Sequence, residues 1–145
     1  MNPVTILLVE DDPAHAALIE RNLKRSGFTN DVIKFVNGKQ VTDYIFSEGE
    51  YAGEKHPKHM LVLLDINMPV MNGAEVLRRL KGNEKTKDIP VIMLTTTDDQ
   101  TEIDNCYRIG CNAYVVKPVG HAGFTKVIKD LGLFVNIMMS PTNGG

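Results

Sequence analysis

The stretch that decides the fold is MLVLLDINMPVMNG, residues 60–73. Its first five residues are all apolar, and the sixth is the carboxylate of Asp65. A continuous apolar run of this kind is typical of a strand that is buried on both faces of a sheet. A carboxylate that is buried without a partner is either costly or becomes protonated. Asp65 therefore lies at the surface where the strand ends, or in a site that needs its charge.

Similar apolar runs lie on both sides of this one, separated by segments with helical spacing. The runs predict strands at residues 4–9, 32–36, 60–64, 91–94 and 113–116. The intervening segments predict helices from Asp12-Pro13 to Gly27, over residues 41–46 and 73–80, from a Thr97–Gln100 capping box to Gly110, and from about Ala122 onward. Strands that alternate with helices in this way predict an α/β fold, a doubly wound five-stranded parallel sheet.

Composition places limits on function. The 145 residues suit one domain, and 43% hydrophobic with 23% charged residues is ordinary for a globular protein. A net charge of −2 without a basic block argues against direct binding of nucleic acid or a membrane surface. No apolar stretch reaches about 18 residues and no signal-peptide pattern is present, so we expect a cytoplasmic protein. Cys106 and Cys111 lack metal-site spacing and are expected to be reduced thiols.

Polar side chains follow four of the predicted strands. They are Glu10, Asp11 and Asp12 after the first strand, Asp65 after the third, Thr95 after the fourth and Lys117 after the fifth. Ligands of open parallel sheets bind outside the carboxyl ends of the strands, so these side chains are expected to converge at one edge. For Asp12 a helix cap is the simpler interpretation, because Pro13 follows it.

The chemistry of such a cluster is restricted. Neighbouring carboxylates repel one another, and a hard divalent cation such as Mg²⁺ relieves that repulsion. A lysine and a threonine hydroxyl can bind a second anionic group. Together these groups describe a site that accepts a phosphoryl group on an aspartate, with Asp65 as the nucleophile.

Four motifs resemble those of the receiver domains of two-component response regulators, the CheY-like, flavodoxin-like fold. They are LLVEDD at 7–12, LLDINMPVMNG at 63–73, VIMLTT at 91–96 and AYVVKP at 113–118. The resemblance implies a switch module that catalyses only its own phosphorylation and slow dephosphorylation, and so is not an enzyme toward other substrates. It implies the following roles: Glu10, Asp11, Asp65 and the backbone carbonyl of Asn67 as ligands of Mg²⁺, Asp65 as the residue that a histidine kinase phosphorylates, Thr95 and Lys117 on the phosphoryl oxygens, and Tyr114 as the aromatic that moves with Thr95.

A more specific resemblance is to the single-domain regulators that pair with bacterial and cyanobacterial phytochromes. It lies in the loop SEGEYAGEKHPKH at 47–59, the turn LTTT at 94–97 and the segment FTKVIKDLGLFVNIMM at 124–139. The resemblance implies a phytochrome-type sensor histidine kinase as the partner.

The C-terminal segment suggests an assembly. Residues 133–139 are apolar on nearly all sides, and a large apolar patch usually marks an interface. We therefore expect a receiver domain over residues 1–139 that forms a homodimer through helix four, strand five and helix five, extended by 133–139, with a flexible tail at 140–145. The alternative is that the segment folds back over its own domain.

Two other functions fit parts of the pattern. An aspartate-nucleophile phosphatase would need a second acid two residues after Asp65, but Asn67 stands there. An inactive receiver-like module that only dimerises would have no need for the charge cluster. His56 and His59 are expected in a solvated loop rather than in a metal site.

Overall fold

The computed structural model describes residues 4–25, 27–117, 123, 126, 127, 129 and 130. Its elements are β1 (Val4–Val9), α1 (Pro13–Arg25), β2 (Val32–Phe35), α2 (Gly38–Ile45), β3 (His59–Leu64), α3 (Gly73–Lys81), β4 (Val91–Thr95), α4 (Gln100–Ile109) and β5 (Ala113–Val116), with a short 3₁₀ turn at Gly49–Tyr51. The strands form one five-stranded parallel sheet in the order β2-β1-β3-β4-β5. The predicted α/β fold and its doubly wound sheet are confirmed.

The central strands are apolar throughout because both of their faces are covered. In β3, Val62 and Leu64 pack with α2, α3 and α4, whereas Leu61 and Leu63 pack with the α1 side. All four side chains are fully buried. Side chains of a strand alternate between the two faces, so a strand inside two layers has no position left for a polar residue.

The starts of two helices differ from their predicted positions. The side chain of Asn37 accepts a hydrogen bond from the Gln40 N–H and begins α2 at Gly38, three residues before the first predicted helical position. The predicted Thr97–Gln100 capping box is wrong. Asp99 is the N-cap of α4 and makes no capping hydrogen bond with its side chain. Asp12 caps α1 as predicted, since its Oδ1 accepts from the Ala14 N–H at 2.9 Å.

The polar loop before β3 is held against the core, which corrects the prediction that its histidines are solvated. Tyr51 contacts the rings of Phe35 and Tyr44, and the His56 ring lies edge-on to Tyr44 and hydrogen-bonds its carbonyl oxygen. His59 belongs to β3, and both histidines are half-buried. Neither histidine joins a group of metal-ligating side chains among the described residues.

The C-terminal predictions lie mostly outside the described residues. Of the predicted last helix, the described residues 123, 126, 127, 129 and 130 are helical. Its predicted start at Ala122, the segment 133–139 and the tail 140–145 are not among them. Within the part of the chain that the structure describes, no helix combines the length and the apolar character needed to cross a membrane.

Candidate functional site

The polar residues predicted to converge do meet at the carboxyl edge of the sheet. Glu10 follows β1, Asp65 follows β3, Thr95 ends β4 and Lys117 follows β5. The sheet's own hydrogen bonding fixes their backbones: the Asp65 N–H donates to the Val9 carbonyl at 3.2 Å, and the Lys117 N–H donates to the Thr95 carbonyl at 2.7 Å. Strand register thus brings together side chains that are far apart in the sequence.

Three carboxylates crowd together at this edge. Glu10, Asp11 and Asp65 each offer an oxygen, and these oxygens lie within 4.8 Å of one another. Glu10 is only 4% exposed and Asp65 only 8%, whereas Asp11 is exposed to solvent. A set of oxygen ligands that is open on one side suits a hard cation such as Mg²⁺ or Mn²⁺.

Lys117 provides the compensating charge inside the protein. Its side chain is buried, and its Nζ donates a hydrogen bond to Glu10 Oε1 and lies 3.6 Å from Asp65 Oδ2. Burial raises the pKa of the Glu10 carboxyl, and the hydrogen bond and charge of Lys117 oppose that rise. The lysine therefore contacts both of the buried carboxylates.

The loop after Asp65 has an unusual backbone. The Asn67 N–H donates to Asp65 Oδ1 at 3.2 Å, and Val70 and Met71 then adopt φ angles of 49° and 70°. Positive φ is a genuine outlier for a β-branched residue such as Val70. At Gly73 an added Cβ would stand 2.3 Å from the Asp65 carbonyl oxygen, so glycine is required there. The loop is therefore closely fitted around Asp65.

Thr95 at the end of β4 and Tyr114 in β5 are joined through Thr97. Thr95 is fully buried, and its Oγ1 accepts from the Thr97 N–H at 3.4 Å. The Tyr114 hydroxyl donates to the Thr97 carbonyl at 2.6 Å, and its ring is half-buried against the core. Burial raises the pKa of Tyr114 far above its usual range, so the hydroxyl keeps its proton as a hydrogen-bond donor.

Two contacts at the site were not expected from the sequence. The hydroxyl of Thr97 accepts from Asn67 Nδ2 at 2.7 Å, although these residues are 30 positions apart. His15 lies on α1 with its Nδ1 3.9 Å from Glu10 Oε1 and 3.8 Å from Asp12 Oδ2. The Asn67–Thr97 contact depends on how two separate loops pack, whereas the approach of His15 to Asp12 follows from their i,i+3 positions at the start of α1.

A family model of the response regulator receiver domain matches residues 6–129, and the chain belongs to that family. It is a response regulator, a signalling protein rather than a conventional enzyme. Among curated relatives, the probable methanogenesis regulatory protein FilR2 of Methanothrix harundinacea is 36% identical over 90% of this chain and 82% of its own length. Response regulator Rcp1 of Synechocystis sp. is 33% identical over 91% of this chain and 88% of its own length.

Solved structures agree with this assignment. A receiver domain from Rhodospirillum rubrum has a TM-score of 0.85 at 42% identity, covering 97% of this chain and 99% of its own. The Mn²⁺-bound form of Rcp1 has a TM-score of 0.85 at 31% identity, with 95% and 96% covered. The phosphorylated cyanobacterial phytochrome response regulator RcpA has a TM-score of 0.82 at 32% identity, with 95% and 96% covered. The chain therefore resembles phytochrome-associated response regulators, and its acidic cluster is a metal-binding site of the type found in receivers.

Proposed function

We propose that Asp65 accepts a phosphoryl group from a sensor histidine kinase in the presence of Mg²⁺. One observation carries the proposal: the Asp65 carboxylate lies 3.6 Å from Lys117 Nζ and within 4.8 Å of carboxylate oxygens of Glu10 and Asp11. A lysine and a cation site on the same aspartate match the charges that phosphoryl transfer needs.

The transfer is a substitution at phosphorus. A carboxylate oxygen of Asp65 forms a bond to phosphorus while the bond to the phosphohistidine nitrogen breaks, and the imidazole leaves with that electron pair. Lys117 and the Thr95 hydroxyl donate hydrogen bonds to the phosphoryl oxygens as negative charge moves onto them. Mg²⁺ would add positive charge to the same oxygens, and the residues that would hold it are Glu10, Asp11, Asp65 and the carbonyl of Asn67.

The signal would leave the site through Thr95 and Tyr114. When the Thr95 hydroxyl moves to bind a phosphoryl oxygen, it leaves the hydrogen bond that it accepts from the Thr97 N–H. This movement frees space for the Tyr114 ring to move further in. The Tyr114 N–H donates to the hydroxyl of Tyr107, a half-exposed residue of α4. A turn of the Tyr114 ring would therefore alter the surface that α4 and β5 form, where Tyr107 lies beside Tyr114.

The first experiment tests the acceptor. The purified chain is incubated with acetyl phosphate and Mg²⁺, and its intact mass is measured before and after hydroxylamine. We expect one hydroxylamine-sensitive phosphoryl group, which is absent from Asp65→Asn and retained by Asp31→Asn, an exposed aspartate outside the site. Phosphorylation of Asp65→Asn at another carboxylate refutes the assignment. Rapid turnover of phosphoesters would instead support the aspartate-nucleophile phosphatase. The absence of any reaction would support the inactive receiver-like module.

The second experiment tests the donor. The resemblance to RcpA, a phytochrome response regulator, supports a phytochrome-type kinase. The resemblance to FilR2, a probable methanogenesis regulatory protein, is the reason to compare that kinase with an unrelated one. Phosphotransfer rates from a phosphorylated phytochrome kinase and from an unrelated histidine kinase are compared under the same conditions. We expect the phytochrome kinase to transfer faster, and equal rates would contradict the pairing.

The third experiment tests the assembly. We propose a receiver over residues 1–139 that forms a two-fold homodimer through α4, β5, the last helix and residues 133–139, followed by a flexible tail at 140–145. Light scattering is measured on the full chain and on a chain that ends at Gly132. A dimer that becomes a monomer on truncation is expected, whereas a full-length monomer at micromolar concentration, phosphorylated or not, excludes the dimer.

A further inference from the structure

Thr97 contacts three parts of the site, through hydrogen bonds of its hydroxyl, its N–H and its carbonyl. Its hydroxyl accepts from Asn67 Nδ2 at 2.7 Å, its N–H donates to Thr95 Oγ1 at 3.4 Å and its carbonyl accepts from the Tyr114 hydroxyl at 2.6 Å. One residue of the β4–α4 loop therefore contacts the loop after Asp65, the threonine at the end of β4 and the aromatic of β5.

The contact with Asn67 matters because Asn67 faces the metal site through its backbone. Its N–H already binds Asp65 Oδ1 at 3.2 Å, and the proposed metal ligand is its carbonyl. Asn67 is exposed to solvent, and the residues that follow it in the same loop include Val70 and Met71 with their positive φ angles. A strained loop keeps one geometry only where neighbouring contacts hold it.

We propose that the Thr97 hydroxyl is a positioning group that holds Asn67 in its metal-binding geometry and couples metal binding to the packing of Tyr114. This inference rests on the proposed metal site at Glu10, Asp11 and Asp65. Thr97 touches none of the reacting atoms and acts through Asn67. Coupling between two sites is reciprocal. If metal binding shifts the packing equilibrium of Tyr114, then the packing of Tyr114 changes the metal affinity by the same free energy.

The test uses Mn²⁺ alone as the probe, with free Mn²⁺ measured by electron paramagnetic resonance. Thr97→Val removes the hydroxyl but keeps the shape of the side chain. It also keeps the backbone N–H and carbonyl of residue 97. We expect it to weaken Mn²⁺ binding about fivefold, which corresponds to one net hydrogen bond. Thr97→Ser should restore affinity to nearly the wild-type value. Thr101→Val, a matched change at an exposed threonine of α4, should leave it unchanged.

A second variant removes the same hydrogen bond from its other end. Asn67→Ala keeps the backbone carbonyl and should also weaken Mn²⁺ binding, and the Asn67→Ala/Thr97→Val double variant should bind no more weakly than the weaker single variant. The second readout is the NMR signal of the Tyr114 ring. It should shift when Mg²⁺ is added to the wild type, and that shift should shrink in Thr97→Val.

The outcomes separate this inference from the proposed function. A wild-type chain that binds no Mn²⁺ overturns the metal site and the inference together. Normal Mn²⁺ binding by Thr97→Val, or equal weakening by Thr97→Ser and Thr97→Val, overturns the role of the hydroxyl alone. Strictly additive losses in the double variant also overturn it, because they show that the two side chains act separately.

Discussion

At the scale of single residues, the site is a balance of buried charges. Lys117 and Glu10 are each about as buried as core residues, at 5% and 4% exposure. Burying an ion is costly, and a buried pair is tolerated only when its partners are close and hydrogen-bonded. Lys117 satisfies this requirement for Glu10 directly and for Asp65 at longer range. The same arrangement leaves a cationic donor beside the oxygen that is proposed to be phosphorylated.

This balance predicts the effect of removing the lysine. Lys117→Met leaves Glu10 and Asp65 buried beside each other without a cation, so we expect the free energy of unfolding in metal-free buffer to fall by about 3 kcal/mol. Urea unfolding measures the change. Lys85→Met, which removes an exposed lysine, should change the value by less than about 0.5 kcal/mol. Equal stability of Lys117→Met and the wild type would show that the pairing contributes nothing.

At the scale of elements, the site depends on two close backbone approaches to the β3–α3 loop. Gly73 lets α3 begin against the Asp65 carbonyl, and Gly38 lets α2 begin against the Met71 carbonyl. The Lys39 N–H also donates to the Val70 carbonyl at 3.3 Å. The first turn of α2 therefore supports the strained end of the loop that carries Asp65 and Asn67.

A methyl group at Gly38 should disturb that support. Its ideal Cβ would stand 2.0 Å from the Met71 carbonyl oxygen and 2.7 Å from Val76 Cγ2. Alanine favours a helix over glycine by about 1 kcal/mol, but overpacking costs about 1–3 kcal/mol. Because the clash is with a backbone carbonyl, the cost lies at the upper end of that range, and we expect Gly38→Ala to lower the free energy of unfolding by about 2 kcal/mol in urea melts.

The neighbouring variant Lys39→Ala is the control, because the Lys39 side chain is exposed and its ion pair with Asp43 lies at the surface, while the substitution keeps the backbone N–H that donates to Val70. It should change stability by no more than about 0.5 kcal/mol. A Gly38→Ala chain more stable than the wild type would show that the loop and α2 separate easily.

At the scale of the whole molecule, a cation that binds only the folded chain stabilises all of it. The carboxylate oxygens of Glu10, Asp11 and Asp65 belong to loops after two different strands, so they form a cluster only when the sheet is assembled. Binding to such a cluster adds to the global free energy of unfolding by mass action. Metal binding and folding are therefore linked.

The linkage predicts a Mg²⁺-dependent melting temperature. At Mg²⁺ tenfold above its dissociation constant, the free energy of unfolding should rise by about 1.4 kcal/mol. Asp11→Ala should remove most of the increment, while Asp31→Ala, at an exposed position away from the cluster, should keep it. Thermal melts with and without millimolar Mg²⁺ measure the effect. A wild-type melting temperature that does not respond to Mg²⁺ would contradict a preformed site.

The sequence by itself determined the sheet and the edge at which the polar residues meet. Runs such as residues 60–64 are apolar without interruption because two helical layers cover them, and this signal is local. The placement of Asp65, Thr95 and Lys117 directly after strands sufficed to predict their convergence, because the carboxyl ends of parallel strands share one edge. The helix cap at Asp12 was also predicted, since its hydrogen-bond partner lies two residues away.

Only the tertiary structure decided the contacts that join distant segments. Thr97 was predicted to cap α4, but its hydroxyl binds Asn67 across two loops. His56 was predicted in solvent, but its ring packs on Tyr44. A polar side chain can satisfy its hydrogen bonds locally or across the fold, and the choice depends on which groups packing brings within about 3 Å. That competition has no signature in local sequence, whereas the burial of a whole strand does.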